Sequence, residues 1–279
     1  YKQMDIGTAK IKKEQMQGVT HYMIDEWNPD EEFNVMIFQK HVKEIMEDIY
    51  NRGKIPILVG GTGFYIQAVL NDIAFTKEKQ GDEIRADLQN LAKEKGASYL
   101  HHELQKVDKE SAEAIHPNNI KRVIRALEYF QSTGQKFSDH NKEERQKGSP
   151  YNFLYLVLTM NRKVLYERID KRVDQMMEEG LVKEVKQLLD AGYSRNLVSM
   201  QGLGYKEIAS ALFKECTMEE AVYRLKRDTR HFAKRQMTWF RRERDVTMIN
   251  KDNFSNNHEI VNYIMKLAVE KGICSCREG

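Results

Sequence analysis

A glycine-rich turn is the first stretch of the sequence whose residue types could do chemistry. Residues 60–63, Gly-Gly-Thr-Gly, follow an apolar run at 55–59 and precede a helical pattern at 64–70. Backbone amides at the start of a helix can face an anion, and glycines let a ligand approach the backbone closely. Thr62 adds a hydroxyl. Neither Gly-x4-Gly-Lys-[Ser/Thr] nor Gly-x-Gly-x2-Gly occurs in the chain, so a tight turn without a ligand is an equal alternative.

Positive charge is concentrated at 224–244. This segment has nine Lys or Arg and two acidic residues, a net charge of +7, whereas the other 258 residues together carry −4. At about 100° per residue, one half of the helix circumference holds Lys226, Arg227, Arg230, His231, Lys234, Arg235, Arg241 and Arg242. The other half holds Leu225, Phe232, Ala233, Trp239 and Phe240. A basic run is most often only a solvated face, but the shortage of acids on this one favours a polyanion such as RNA.

Two smaller groups of cations could also contact phosphates. Lys121, Arg122 and Arg125 lie in a helical pattern that begins after His-Pro-Asn-Asn, and a capped surface helix is the plain alternative. Arg168 and Arg172 are four residues apart, so they share a helix face and could bind a diphosphate as a fork. Acidic neighbours make an ion-pair network an equal alternative.

A second glycine pair occurs at 201–206, Gln-Gly-Leu-Gly-Tyr-Lys. Gly202 would let a nucleic-acid backbone come close, Tyr205 would offer a surface for base stacking, and Lys206 would supply a charge. The alternative is a helix-entry turn.

Composition excludes several classes of protein. Hydrophobic residues make up 41% of the 279 residues, enough for a core, but every apolar run is far shorter than the roughly 20 residues that cross a bilayer. Three cysteines fit neither a disulfide framework nor the spacing of zinc ligands, and the eight histidines do not cluster. We therefore predict a cytoplasmic protein of one large or two ordinary domains, without metal-ligating residues or a membrane partner.

The elements that must position these residues alternate as in an α/β fold. A helix at 33–52, a buried strand at 55–59, the glycine turn and a second strand at 151–160 predict a parallel sheet with helices. Between the two strands, residues 77–146 have helical patterns only. The stretch 139–149 is nearly all polar and is predicted as the linker that closes this insertion. Further helices are predicted at 82–95, 99–107, 109–115, 118–133, 162–191, 204–213, 218–241 and 256–270. The core is thus 1–76 with 147–279, interrupted by an all-helical insertion at 77–146.

Taken together, these segments resemble the tRNA dimethylallyltransferases, also called tRNA isopentenyl pyrophosphate transferases. The matching stretches are 1–10, 59–65, 116–118 with Arg122, 125–128, 204–207 and 234–241. Met-Asp-Ile-Gly-Thr-Ala-Lys at 4–10 and Lys-Arg-Gln-Met-Thr-Trp at 234–239 are the most specific of them.

The resemblance implies a P-loop, nucleoside-kinase-like core and a helical insertion domain that binds the anticodon stem-loop of tRNA. The implied reaction moves a dimethylallyl group from dimethylallyl diphosphate to N6 of the adenosine 3′ of the anticodon, with Mg²⁺ on the diphosphate. The base must leave its stack, because N6 cannot be reached otherwise. We expect a monomer.

Carried over position by position, the resemblance assigns Thr62 and Arg85 to contacts with the substrate tRNA. It assigns Arg172 to the diphosphate, which makes Thr62 and Arg172 the catalytic candidates. The family's other tRNA-contacting stretches match Lys121, Arg122, Arg125, Gly202, Tyr205, Lys206, Lys234, Arg235, Trp239 and Arg241.

The family's phosphate loop does not occur in the chain, nor does its Asp-Ser-x-Gln segment, which carries the catalytic Asp and ends just before a Tyr that matches Tyr1. The expectation is that the chain begins inside a longer protein and, as it stands, lacks the donor-binding loop and the general base. It should then be inactive when started at Tyr1.

Two other functions are open on the residues alone. A small-molecule or nucleotide kinase could use the same kind of core, and a non-catalytic RNA-binding module could use the same basic helix. Steep weakening of binding between low and physiological salt would favour RNA over a compact substrate.

Overall fold

The computed structural model describes residues 1–75 and 81–275 and contains twelve α-helices and two β-strands in that part of the chain. In chain order these are α1 (Val35–Asn51), α2 (Gly63–Leu70), α3 (Gly81–Lys95), α4 (Ala97–Val107), α5 (Lys109–Ala114), α6 (Ile120–Thr133), α7 (Phe137–Gln146), β1 (Tyr155–Thr159), α8 (Arg162–Glu179), α9 (Leu181–Asp190), α10 (Tyr205–Leu212), α11 (Met218–Phe240), β2 (Val246–Asn250) and α12 (Asn257–Glu270).

The chain forms two compact units. The first comprises Tyr1–Ile66 and Asn152–Gly279, and the second Gln67–Tyr151. Both boundaries differ from the predicted ones after residues 76 and 146. The second unit is longer because the Ser149 hydroxyl donates to the Leu70 carbonyl, which ties its two ends together.

The sheet of the first unit is parallel, with Tyr155 opposite Val246 and Thr159 opposite Asn250. The predicted α/β fold with a parallel sheet and a helical second part is thereby confirmed. β2 was not predicted, because its five residues follow a highly charged stretch.

The predicted buried strand at 55–59 is wrong. No strand pairs with this run in the described part of the chain, and the side chains of Ile57 and Val59 are 82% and 87% exposed. An apolar run becomes a buried strand only where a neighbouring strand takes its backbone hydrogen bonds.

Two helix predictions also need correction. The helix predicted at 162–191 is broken at Gly180, whose φ of +104° ends α8 and begins α9. The polar stretch predicted as a linker contains α7, because Phe137 and His140 pack their rings against Tyr129 of α6.

Each unit has its own hydrophobic core. That of the first lies between α9, α10 and α11, and its buried residues include Met4, Leu181, Val185, Leu188, Ile208 and Leu225. That of the second lies between α3, α4 and α6, and includes Leu88, Leu100, Leu104, Val123 and Leu127. Met4 joins the N-terminal segment to the first core, although it is far from the other members in sequence.

Asp108 connects two helices of the second unit. Its buried carboxylate accepts hydrogen bonds from the Ser111 amide at 3.0 Å, the Ser111 hydroxyl at 2.6 Å and the Ser138 amide at 2.8 Å. Burial opposes the charge, but these hydrogen bonds outweigh it and hold the pKa of Asp108 below its ordinary value. The carboxylate therefore caps α5 and fixes the start of α7.

We predict that Asp108→Asn lowers the free energy of unfolding by about 1–3 kcal/mol. The NH₂ group of the asparagine would face an amide or hydroxyl donor that now has a carboxylate oxygen as its acceptor. Urea unfolding followed by circular dichroism measures the loss. Asp87→Asn, an exposed change of the same kind in α3, should leave the midpoint unchanged. Equal midpoints for the two variants would contradict the role of Asp108.

Candidate nucleic-acid interface

The basic helix α11 packs directly against the glycine turn. The side-chain amide of Gln236 donates a hydrogen bond of 2.8 Å to the Gly61 carbonyl. A Cβ added at Gly61 would lie 2.1 Å from Gln236 Nε2, and one added at Gly63 would lie 2.2 Å from the Trp239 ring. Glycine is thus required at 63 by the close approach of the Trp239 ring, whereas a Cβ at 61 would displace the end of the Gln236 side chain. Gln236 was missed as a functional residue, although it lies in the Lys-Arg-Gln-Met-Thr-Trp motif.

Thr62 lies exposed between these two contacts. Its carbonyl accepts the first hydrogen bonds of α2, from the amides of Tyr65 at 2.9 Å and Ile66 at 3.2 Å. The backbone on both sides of Thr62 is therefore fixed, which holds its hydroxyl at the surface beside α11.

Part of the predicted cationic face of α11 is turned toward α8 instead of solvent. Lys226 forms an ion pair with Asp174, and Arg230 forms one with Asp170. Both side chains are only 24% exposed. The solvated part of the face consists of Arg227, His231, Lys234, Arg235, Arg241 and Arg242. The angular positions of the residues around the helix predicted one cationic face, because they do not show on which side of α11 the helix α8 lies.

The apolar half of α11 is likewise only partly buried. Leu225 and Phe240 are buried, and Trp239 packs on Gly63 and Phe64. Phe232, predicted to face the core, is 39% exposed, and the guanidinium of Arg235 lies 5.7 Å from its ring centroid. This pair presents a ring and a cation together at the surface.

The stacking role predicted for Tyr205 is wrong. Its side chain is 1% exposed, and its hydroxyl donates a 2.6 Å hydrogen bond to Glu184 Oε1. Burial and the neighbouring carboxylate raise the pKa of Tyr205 above its ordinary value. Lys206, the next residue, is exposed, and Gly202 is half-buried.

Trp239, which is half-buried, packs against the glycine turn. Its ring is covered by the glycine turn, and its Nε1 is buried and has no hydrogen-bond partner in the described part of the chain. The tryptophan thus serves to dock α11.

The second unit has its own group of cations. Arg85 of α3 contacts the buried Glu128 carboxylate at 2.8 and 3.3 Å, and Arg125 of α6 contacts it at 3.3 Å. Lys121 and Arg122 are exposed in the first turn of α6, which no side chain of Asn119 caps. One buried carboxylate therefore holds two half-exposed guanidinium groups from different helices near each other.

Arg172 is exposed on α8. It does not line the open cavity of about 530 Å³ formed by Arg162, Lys163, Tyr166, Glu167, Asp170 and Arg230. Asp170 pairs with Arg230 of α11 instead of with a neighbour on its own helix. Because Arg172 is two positions from Asp170, about 200° around the helix, it faces away from this cavity.

In the described residues, no three His, Cys, Asp or Glu side chains gather where they could hold a metal ion. Among the same residues, no helix combines the length and the apolar character that crossing a membrane requires.

Comparison with known proteins identifies the family of the chain. Residues 1–243 match the family model for IPP transferase. A tRNA dimethylallyltransferase of Lachnoclostridium phytofermentans is 56% identical over 273 residues, which cover 98% of this chain and 87% of that protein. Another tRNA dimethylallyltransferase, from Acetivibrio thermocellus, is 49% identical over 261 residues, which cover 94% of this chain and 83% of that protein.

Solved structures give the same result. The full-length tRNA isopentenylpyrophosphate transferase from Bacillus halodurans superposes with a TM-score of 0.70 at 43% identity, over 98% of this chain and 86% of that one. A eukaryotic dimethylallyltransferase acting on tRNA gives a TM-score of 0.76 at 26% identity, over 94% and 69%. The resemblance inferred from the sequence is confirmed, and the chain belongs to the IPP transferase family.

Proposed function

We propose that the chain transfers a dimethylallyl group from dimethylallyl diphosphate to N6 of the adenosine 3′ of the anticodon in tRNA. Family membership across residues 1–243 supports the reaction. The structural observation that carries it is the docking of α11 on the glycine turn, through Gln236 and Trp239. It joins the Thr62 hydroxyl to the helix that bears the solvated cations.

The RNA backbone would follow the solvated part of α11. Lys234, Arg235 and Arg241 are exposed and have no acidic residue between them on that face. Contacts of Lys and Arg with phosphates position a nucleic acid without reading its sequence. The exposed ring of Phe232 under Arg235 adds a surface on which an unpaired base could stack.

The cations of the second unit would contact the anticodon stem-loop as well. Arg85 and Arg125 share the Glu128 carboxylate, so their guanidinium groups are ordered before RNA binds. Lys121 and Arg122 extend the charge along α6. Ordered cations lose less side-chain entropy on binding than free ones.

In the reaction, N6 of the extruded adenosine attacks C1 of the dimethylallyl group. The C1–O bond breaks, the diphosphate leaves with the electron pair, and N6 gives its proton to a base. Exposed cations, Arg172 among them, would stabilise the charge on the leaving diphosphate, and the Thr62 hydroxyl would hydrogen-bond in the reaction site.

We also propose Mg²⁺ as the metal that accompanies the donor. The described residues provide no cluster of protein ligands for it. Mg²⁺ usually keeps several waters and binds through one or two carboxylates together with substrate phosphates, so a diphosphate suits it without a protein cage. A cytoplasmic monomer stays the prediction for location and oligomeric state.

The direct test incubates the full-length protein with labelled dimethylallyl diphosphate, Mg²⁺ and unmodified tRNA. Label is expected in the adenosine beside the anticodon. No incorporation into any tRNA rejects the proposed function. Tight tRNA binding without incorporation would instead favour a non-catalytic RNA-binding protein.

We predict that Arg235→Ala weakens tRNA binding about tenfold and reduces the slope of log K against log salt by about 0.9, as loss of one phosphate contact should. Filter binding at several salt concentrations measures both. The KM for the donor should not change. Lys266→Ala, which removes an exposed cation of α12, is the matched control and should bind tRNA like the unmodified protein. Equal affinities for the two variants would exclude Arg235 from the interface.

We predict that Gly63→Ala lowers both stability and transfer, because its methyl group would collide with the Trp239 ring. Forcing a methyl group into a packed contact costs about 1–3 kcal/mol. Gly60→Ala is the matched control in the same turn, since a Cβ there meets nothing within 4 Å. Thermal unfolding and the transfer assay compare the two variants. If Gly63→Ala behaves like Gly60→Ala, α11 does not dock on the turn as described.

A further inference from the structure

The carboxylate of Glu184, in the first turn of α9, accepts four hydrogen bonds, of which that from the Tyr205 hydroxyl is one. The residue is 8% exposed. The backbone amides of Asp5 and Ile6 donate to Oε2 at 2.9 and 2.8 Å. The Gly7 amide donates to Oε1 at 3.1 Å, and the Tyr205 hydroxyl donates to the same oxygen at 2.6 Å. One side chain thus holds three successive amides of a segment almost 180 residues away in sequence.

The same N-terminal segment also packs closely against the Tyr205 ring. A Cβ added at Gly7 would lie 2.5 Å from the Tyr205 ring, so only glycine fits there. Gly204, with a φ of +94°, lets the backbone before Tyr205 come to the Cα of Gly7. Met4, 1% exposed, fixes the near end of the segment in the core.

Lys10 holds the C-terminal end of the segment 4–10 in place. Its ammonium group forms ion pairs with Asp5 and Asp25, and it donates to the Tyr1 carbonyl at 3.0 Å. The Asp5 side chain remains 62% exposed. Residues 4–10 therefore form a loop that Lys10 closes and from which the side chains of Asp5 and Thr8 are exposed to solvent.

This loop adjoins the candidate interface through α10. Tyr205 is the first residue of α10, and the exposed Lys206 follows it. α10 packs on α11, and Lys206 lies near enough to Asp228 to lower the pKa of that carboxyl, after the larger effect of Arg227. The hydrogen bonds of Glu184 consequently connect the loop to α10, which packs on the helix that carries the solvated cations.

We propose that Glu184 is a positioning residue for tRNA: it fixes the loop 4–10 and the start of α10 as one edge of the RNA interface. The inference rests on the proposed function and adds a residue to it. A carboxylate suits the position because both oxygens only accept, and all four of its partners donate. A side-chain amide of the same size would turn an NH₂ group toward one pair of donors.

The test compares Glu184→Gln, Tyr205→Phe and Glu178→Gln in the full-length protein. In Glu184→Gln we expect kcat/KM for tRNA to fall at least tenfold while the KM for the donor is unchanged. Tyr205→Phe keeps the three amide hydrogen bonds and should stay within threefold of the unmodified protein. Glu178→Gln makes the same charge change at an exposed position of α8 and should have no effect.

Amide hydrogen exchange gives a readout that does not depend on catalysis. In Glu184→Gln the amides of Asp5, Ile6 and Gly7 should exchange at least tenfold faster, while those inside α9 and α10 keep their protection. Unchanged exchange at residues 5–7 overturns the inference. So does a variant that melts at a lower temperature but has unmodified kinetics for tRNA, since Glu184 would then only stabilise the fold. If the unmodified protein transfers no label, the proposed function fails, and hydrogen exchange together with tRNA affinity still decides the role of Glu184.

Discussion

The contact on which the rest of the interface depends is the approach of α11 to a backbone without side chains. Gly61 and Gly63 leave room for Gln236 and Trp239, and a Cβ at Gly63 would collide with the Trp239 ring. The contact makes the register of α11 against the turn unique, because a shift of one residue would replace both side chains. The cations farther along the helix are therefore placed by packing, before any electrostatic attraction acts on them.

Charge on α11 then has two separate uses. Lys226 and Arg230 pair with Asp174 and Asp170 and hold the helix against α8, whereas Lys234 and Arg235 remain in solvent. Ion pairs of this partly exposed kind contribute modestly to stability, so the apolar contacts of Leu225 and Phe240 must supply most of the docking energy. The net charge of +7 in this segment thus overstates the charge available to RNA.

The sequence allowed the fold class, the helices α3 to α6 of the second unit and the basic helix to be predicted, because helical periodicity and charge are local properties. It did not allow β2 to be predicted, nor that the run at 55–59 has no partner strand among the described residues. A strand depends on a partner that is distant in the chain. Tyr205 was misassigned for a related reason. An aromatic residue beside glycines has the same local pattern whether it stacks on a base or fills the space that the glycines leave.

That ambiguity has a physical resolution in this protein. The Tyr205 ring packs against Gly7 and is 1% exposed, so it is not available for stacking, and the Trp239 ring packs against Gly63. The glycines at 7 and 63 therefore act as sockets for aromatic rings from helices far away in sequence. Each socket leaves a polar side chain beside it in solvent, Asp5 in one case and Thr62 in the other. Rigid backbone with an exposed polar group is what a site needs when a flexible RNA loop must be held for chemistry at one atom.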